Sequence, residues 1–283
     1  MYLSNYFFAL IASGNQNNEE ALKFFRSSKF LIKKHENFLK EYVFSLVLDG
    51  QVKKAIDQIK ISKNEKNANF FEANLLLTID SFKKKDFKQV SKRLNELNIS
   101  KDDGTYEFVI FNILENYNYL FLKKKIKKQE NNFGNVNLII SSFQNCYKNS
   151  NKTESYFTNL INDTNSDYSR YLFFYFFYLV QNNEFDKLKD ISKSIEPLAD
   201  NLLISQSKKW IENEKFEKFE KYFSCYNETD ILSEFFFLIS NLFSSQEIYD
   251  QSNFYLRISE YLNNKFYFNL SLLSENYYLN DNF

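Results

Sequence analysis

Few residues in this chain are of the kinds that do chemistry, and their spacing limits what each can do. His35 is the only histidine. It follows "LIKK" near the end of a helix-forming stretch, where an imidazole can interact with exposed carbonyls. No Cys, Asp or Glu stands near it at the spacing a metal site or a general acid–base pair needs. Cys146 and Cys225 belong to no CxxC or Cys/His cluster and read as packed thiols, compatible with a reducing or an oxidising compartment. "KKKIKK", Lys123 to Lys128, is the one strong charge run. It reads as a solvated helix end, with a phosphate or anionic membrane contact as the alternative. No GxGxxG, P-loop, HExxH or GxSxG arrangement occurs, so no catalytic, cofactor-binding or metal residue is assigned and a non-enzyme is expected.

The aromatic residues are the other candidates. Trp210 and the blocks "FFYFFY" (from Phe173) and "EFFFLI" (from Glu234) could stack a ligand or touch a membrane. In a helix sandwiched by neighbours such runs are core, because more than one face is covered. No apolar run reaches the roughly 20 residues of a membrane-spanning helix. Lys+Arg 36 against Asp+Glu 36 leaves no net charge, which argues against a phosphate-backbone partner. A soluble protein of the cytoplasm or periplasm is expected. Asn-X-Ser/Thr triplets, the first at Asn98, follow from the Asn-rich composition and carry no glycosylation reading. The bias to Lys, Asn, Ile, Phe and Tyr is that of an A/T-rich genome, bacterial by expectation.

The elements that carry these residues show themselves through scarcity and period. Gly 4 and Pro 1 leave little for hairpins or phosphate loops, which predicts an all-α chain. "EEALKFF" at Glu19 returns as "KKAIDQI" at Lys53. Taking its alanine as an anchor, anchors fall at Ala21, Ala55 and Val90 and again at Leu188, Phe219 and Ser252, with spacings between 31 and 35. Three residues earlier stand Val52, Phe87, Phe185, Phe216 and Tyr249, with Asn18 the exception. Four later stand Phe25, Ile59, Leu94, Phe223 and Leu256, with Ser192 the exception. Positions three and four apart share a helix face, so these make the buried stripe of a second helix. Twelve before each anchor are Ala9, Val43, Thr78, Phe176, Ser207 and Ser240, mostly small, where a first helix approaches closely.

These spacings, with "GNQNNEEALKFF", "LDGQVKKAIDQI", "KKKDFKQVSKRL" and "SQEIYDQSNFYLRIS", resemble the tetratricopeptide repeat (TPR) family, whose 34-residue unit is a helix pair with small residues at the crossing. The resemblance implies a right-handed α-solenoid of antiparallel helix pairs. The proline that commonly closes the unit is absent: Lys33, Asn67, Asp102, Asp200, Ile231 and Asn264 stand there. At Leu188 and Phe219 the anchor is large, which predicts wider helix pairs. Three segments are expected: repeats over 1–100, an irregular helical region and hinge over 101–166, and repeats over 167–283. In the middle segment helices are read at Tyr106–Leu122, Val136–Tyr147 and Thr153–Ile161, with Gly104, Gly134 and "KNSNKTES" as loops. Phe283 sits three before an anchor that the chain does not reach, so the sequence reads as cut within a repeat.

The family resemblance implies a non-catalytic scaffold that binds a peptide or helix of a partner protein on its concave face. It places Tyr6, Lys40, Phe44, Phe82, Phe177, Lys208, Asn241 and Glu275 there. Aromatics would supply buried area, and Lys and Asn would hold the ligand backbone or termini. The alternatives are a cell-envelope assembly factor of the same fold, the helical half of a larger enzyme, and a nucleic-acid-binding repeat, which the balanced charge disfavours. No cofactor, nucleic acid or integral membrane segment is expected. Exposed end helices are candidates for self-association.

Overall fold

The computed structural model describes residues 2–97, 105–128, 130–163, 167–195 and 201–280. The readings placed on Asn98, Asp102, Gly104, Asp200 and Phe283 lie outside them. Among the described residues all regular structure is helical, with sixteen α-helices. The chain is all-α, as its glycine and proline scarcity requires. No described helix is long and apolar enough to cross a membrane.

In chain order the helices are α1 (Tyr2–Gly14), α2 (Asn18–Ser27), α3 (Phe38–Leu48), α4 (Val52–Ile61), α5 (Phe71–Lys83), α6 (Phe87–Glu96), α7 (Tyr106–Lys123) and α8 (Asn135–Tyr147). They continue as α9 (Thr153–Ile161), α10 (Tyr171–Gln181), α11 (Phe185–Ser194), α12 (Leu202–Glu212), α13 (Glu217–Tyr222), α14 (Glu228–Ser244), α15 (Tyr249–Leu262) and α16 (Leu270–Leu279). Successive helices pack as pairs (α1 on α2, α3 on α4, α5 on α6, α8 on α9, α10 on α11), and the second helix of a pair packs on the first of the next.

Each pair turns in the same way. The first helix ends at a residue with positive φ: Gln16, Gly50, Lys85, Asn149, Asn183, Glu214 or Glu247. That residue's N–H donates to the carbonyl three back, and the next N–H donates to the carbonyl five back from itself. Lys85 to Phe82 (2.8 Å) with Asp86 to Ser81 (3.0 Å), and Glu247 to Ser244 (2.9 Å) with Ile248 to Phe243 (3.0 Å), are examples. This double bond satisfies two carbonyls that the helix end would otherwise leave open. Six of the seven left-handed residues stand five positions before Ala21, Ala55, Val90, Leu188, Phe219 and Ser252. All six anchors, and all six residues twelve before them, are fully buried.

The seventh turn, at Asn149, explains the gap in the sequence pattern. Two further residues, Asn151 and Lys152, precede α9, which puts half-buried Tyr156 where an anchor would stand. The α8/α9 pair was therefore invisible to a search for small residues at a fixed interval. The helices read at 106–122, 136–147 and 153–161 are present as α7, α8 and α9. "KKKIKK" begins at the last residue of α7 and runs along a non-helical stretch as exposed lysines, apart from half-buried Lys127.

Two compact units form, and they do not follow the segments 1–100, 101–166 and 167–283. One unit is Met1–Phe111 with Ser233–Leu262 and Asn269–Phe283; the other is Asn112–Leu232 with Asn263–Phe268. In the first, α15 packs on α3 and α4, helices about 200 positions earlier. A polar seam joins α14, α15 and α16. Ser240 and Ser252 Oγ atoms lie 3.0 Å apart, and fully buried Asn276 donates to Ser252 Oγ (2.8 Å) and Asn253 Oδ1 (2.7 Å) while accepting from Ser244 Oγ (2.6 Å). Every hydrogen-bonding group of that amide but its second lone pair is used.

The second unit is an aromatic core. Residues 171–180 of α10 are all buried, with Phe174 against Phe143 (5.0 Å) and Phe223 (4.7 Å), and Phe173 against Phe219 (5.5 Å). Trp210 stacks on Tyr222 (5.3 Å). The core reading of these blocks holds. The packed-thiol reading does not, because Cys146 and Cys225 form a disulfide with Sγ atoms 2.03 Å apart. Both are buried, and the bond ties the end of α8 to the turn before α14.

Two stability measurements follow. Lys85→Gly is expected to raise stability by about 0.5–1 kcal/mol, because glycine removes the left-handed penalty, and Gly50→Ala to lower it by about 1 kcal/mol. Equal midpoints in urea for all three proteins would contradict the turn assignment. Cys146→Ser/Cys225→Ser closes no loop in the unfolded chain and is expected to cost about 4 kcal/mol for a separation of 79 residues.

Candidate interaction surface

The inner face of the first helices is where a ligand was expected, and its residues can be followed one at a time. Tyr6 is buried in α1 against His35 (4.7 Å), Phe38 (5.2 Å) and Phe25 (6.2 Å). Burial, and then the Glu41 carboxylate, push its phenol above the usual range. Phe82 and Phe177 are likewise core residues, with Phe177 edge-on to Phe223 (5.6 Å). Amphipathic helices that contact neighbours on two sides bury more positions than a single stripe predicts, so none of these three rings is open to a partner in this fold.

Phe44 meets a different fate. Its ring stacks on Phe254 of α15, with centroids 4.9 Å apart and planes 8° from parallel. Along the same face of α15, Arg257 Nε donates to the Leu48 carbonyl (3.3 Å) and the Lys83 ammonium sits 3.7 Å over the Tyr261 ring. Residues 254, 257 and 261 lie on one face of a helix. Thus the chain's own α15 covers α3 and reaches α5 where the resemblance leaves a groove.

Four expected positions stay at the surface. Lys40 pairs with Glu72 of the next first helix (3.3 Å). Beside them the Glu41 carboxyl is held above its ordinary value: burial raises it, Lys40 opposes and Glu72 adds to the rise. Asn241 and Glu275 are exposed. Lys208, half-buried in the second unit, donates to the Ile195 carbonyl (2.5 Å) and lines a cavity of about 400 Å³ with Lys189, Ser192, Lys193, Ile211, Glu212 and Glu214.

A larger cavity, about 600 Å³, lies in the first unit between the loops that follow α2 and α4. Lys33, Lys34, His35 and Glu36 line one side, and Asn64, Glu65, Lys66 and Asn67 the other. Asn67 Nδ2 bridges the two loops by donating to the carbonyls of Ile32 (2.7 Å) and His35 (3.1 Å), and Lys33 pairs with Glu65 (3.7 Å). No spacing in the sequence marked Asn67 for this bridge, because each of the six units departs from proline at that position. Three lysines and two glutamates are among the lining residues, a composition suited to a carboxylate-bearing peptide end. Among the described residues no group of three His, Cys, Asp or Glu is placed to hold a metal ion.

No protein-family model, curated protein or solved structure matches this chain. Its reading rests on its own residues.

If Phe44 is cemented to α15, Phe44→Ala is expected to cost about 2–3 kcal/mol, less than the full penalty for a wholly buried ring. Phe254→Ala should then add less than its separate effect, because both remove one contact. Additive losses in the double variant would show that the stack contributes nothing.

Proposed function

We propose that this chain is a non-catalytic interaction scaffold of the TPR-like kind, whose helix pairs hold surface sites for a peptide or helix of a partner protein. The observation that carries this is the sevenfold return of one helix–turn–helix unit, six copies of which bury both crossing residues. Side chains in such units are committed to packing, and what remains for function is surface. Because α15 covers the α3 face, the ligand surface favoured is a charged rim: the cavity between residues 33–36 and 64–67.

A selection of displayed peptides against the whole chain tests this. Enriched peptides should bind Lys34→Glu/Lys66→Glu at least tenfold more weakly, about 1.4 kcal/mol, with helicity unchanged. No enrichment, or equal binding to the variant, would overturn the proposal for that cavity.

A second reading has an observation of its own. Disulfides persist in oxidising compartments, and the buried Cys146–Cys225 bond favours the cell-envelope assembly factor among scaffold roles. Acid quenching of cells that naturally make the protein, followed by alkylation, should leave both cysteines unlabelled. Labelling of both would return the scaffold to a reducing compartment.

A further inference from the structure

Helix α1 carries no charged residue and is apolar on both sides. One side packs on α2 and α3. The other holds Leu3, Phe7 and Ile11, spaced i, i+4, i+8, with Phe8 beside them and Tyr2 at the end. These five are 52%, 55%, 59%, 52% and 53% exposed, in that order. Phe30 (55% exposed) extends the patch, its ring 5.6 Å from that of Tyr2. A helix apolar all round belongs in an interior, and a contiguous patch of this size marks an interaction site.

The inner pairs show what this face accepts. At the position of Phe8, Tyr42 of α3 is covered by Phe25 of the preceding second helix (5.6 Å), and Tyr175 of α10 by Phe157 of α9 (6.2 Å). At the position of Phe7, Leu76 and Phe174 are fully buried and Leu238 is buried, while α3 and α12 have half-buried Glu41 and Ser205 there. Where that position is apolar, as in α1, its cover is a helix with large apolar side chains. Interfacial helices that lie on lipid carry Lys or Arg alongside their apolar face; α1 itself has none, and Lys34 at the edge of the patch has its ammonium 4.3 Å over the Phe30 ring.

We propose that the face of α1 pairs with α1 of a second copy of this chain, about a two-fold axis. The copy supplies a helix of the required kind, and the absence of charge on α1 means that pairing of the two α1 helices sets no like charges of α1 against each other. Ser4 and Gly14 lie on the same exposed face and have small side groups that let the helices approach, and no atom outside its own helix backbone and chain neighbours lies within 4 Å of the Cβ site at Gly14. Six large side chains, each about half exposed, amount to about 500 Å² per copy and about 1,000 Å² for the pair, the lower bound for a specific interface. An interface at that lower bound is expected to associate weakly, in about the micromolar range.

Sedimentation velocity across about 1–100 µM brackets that range. The chain should shift from monomer to dimer, and Leu3→Glu/Phe7→Lys, an i, i+4 pair that supports a lone helix, should stay monomeric with unchanged melting. Phe7→Cys, near the two-fold axis, should cross-link with itself on mild oxidation, whereas the far-exposed Ile61→Cys should not. A monomer at every concentration, dimerisation of the charged variant, or equal cross-linking at both cysteines would overturn the proposal. So would binding of the monomer to zwitterionic or anionic vesicles that the charged variant loses, which would assign the face to lipid.

Discussion

The structure depends on one contact repeated along the chain: the crossing of two helices at a pair of residues from which water is wholly excluded. A pair of short amphipathic helices is marginal alone, and the crossing supplies the burial that holds them. It also demands that the intervening turn bring the chain back at a set distance. The turn meets that demand by placing one residue in the left-handed region and closing two carbonyls at once. Only at residue 50 is that position glycine. The other six turns hold Gln, Lys, Asn, Asn, Glu and Glu in a conformation that costs each about 1–2 kcal/mol. Packing at the crossings offsets that cost, which is why the turn geometry recurs without the residue that most easily adopts it.

Burial at these positions does not require a small side chain. Ala9, Ala21, Ser240 and Ser252 are light and Phe176, Leu188 and Phe219 are large, and all are fully buried. The volume at these positions therefore changes along the chain. In the second unit the large anchors are accompanied by a mesh of rings and by the Cys146–Cys225 bond. In the first, the last helices use Ser and Asn instead. Buried amides and hydroxyls are tolerable only when fully partnered, and Asn276 meets that condition while tying α16 to both α14 and α15.

Return of α15 onto α3 changes what the repeats can do. A scaffold whose first helices face open solvent offers a groove; here Phe254, Arg257 and Tyr261 occupy it. On the proposed reading, function falls to the loops after the second helices and to the exposed face of α1. The first carries charged side chains and the second large apolar ones, both at the surface.

All-α character, the helix pairs and their buried stripes were legible in the sequence, because helical period and the shortage of Gly and Pro are local properties. Ala21, Ala55 and Val90 could be found by counting. The α8/α9 pair could not, since the residue that stands at the interval is Tyr156, neither small nor fully buried, and neither the disulfide nor the α15–α3 contact could, since both join positions far apart in the chain. Nor could the fate of the expected groove: Tyr6, Phe44, Phe82 and Phe177 have side chains equally fit for a groove or a core, and which one they enter depends on what lies opposite. Sequence periodicity tells a helix which side to bury; only tertiary packing decides which neighbour buries it.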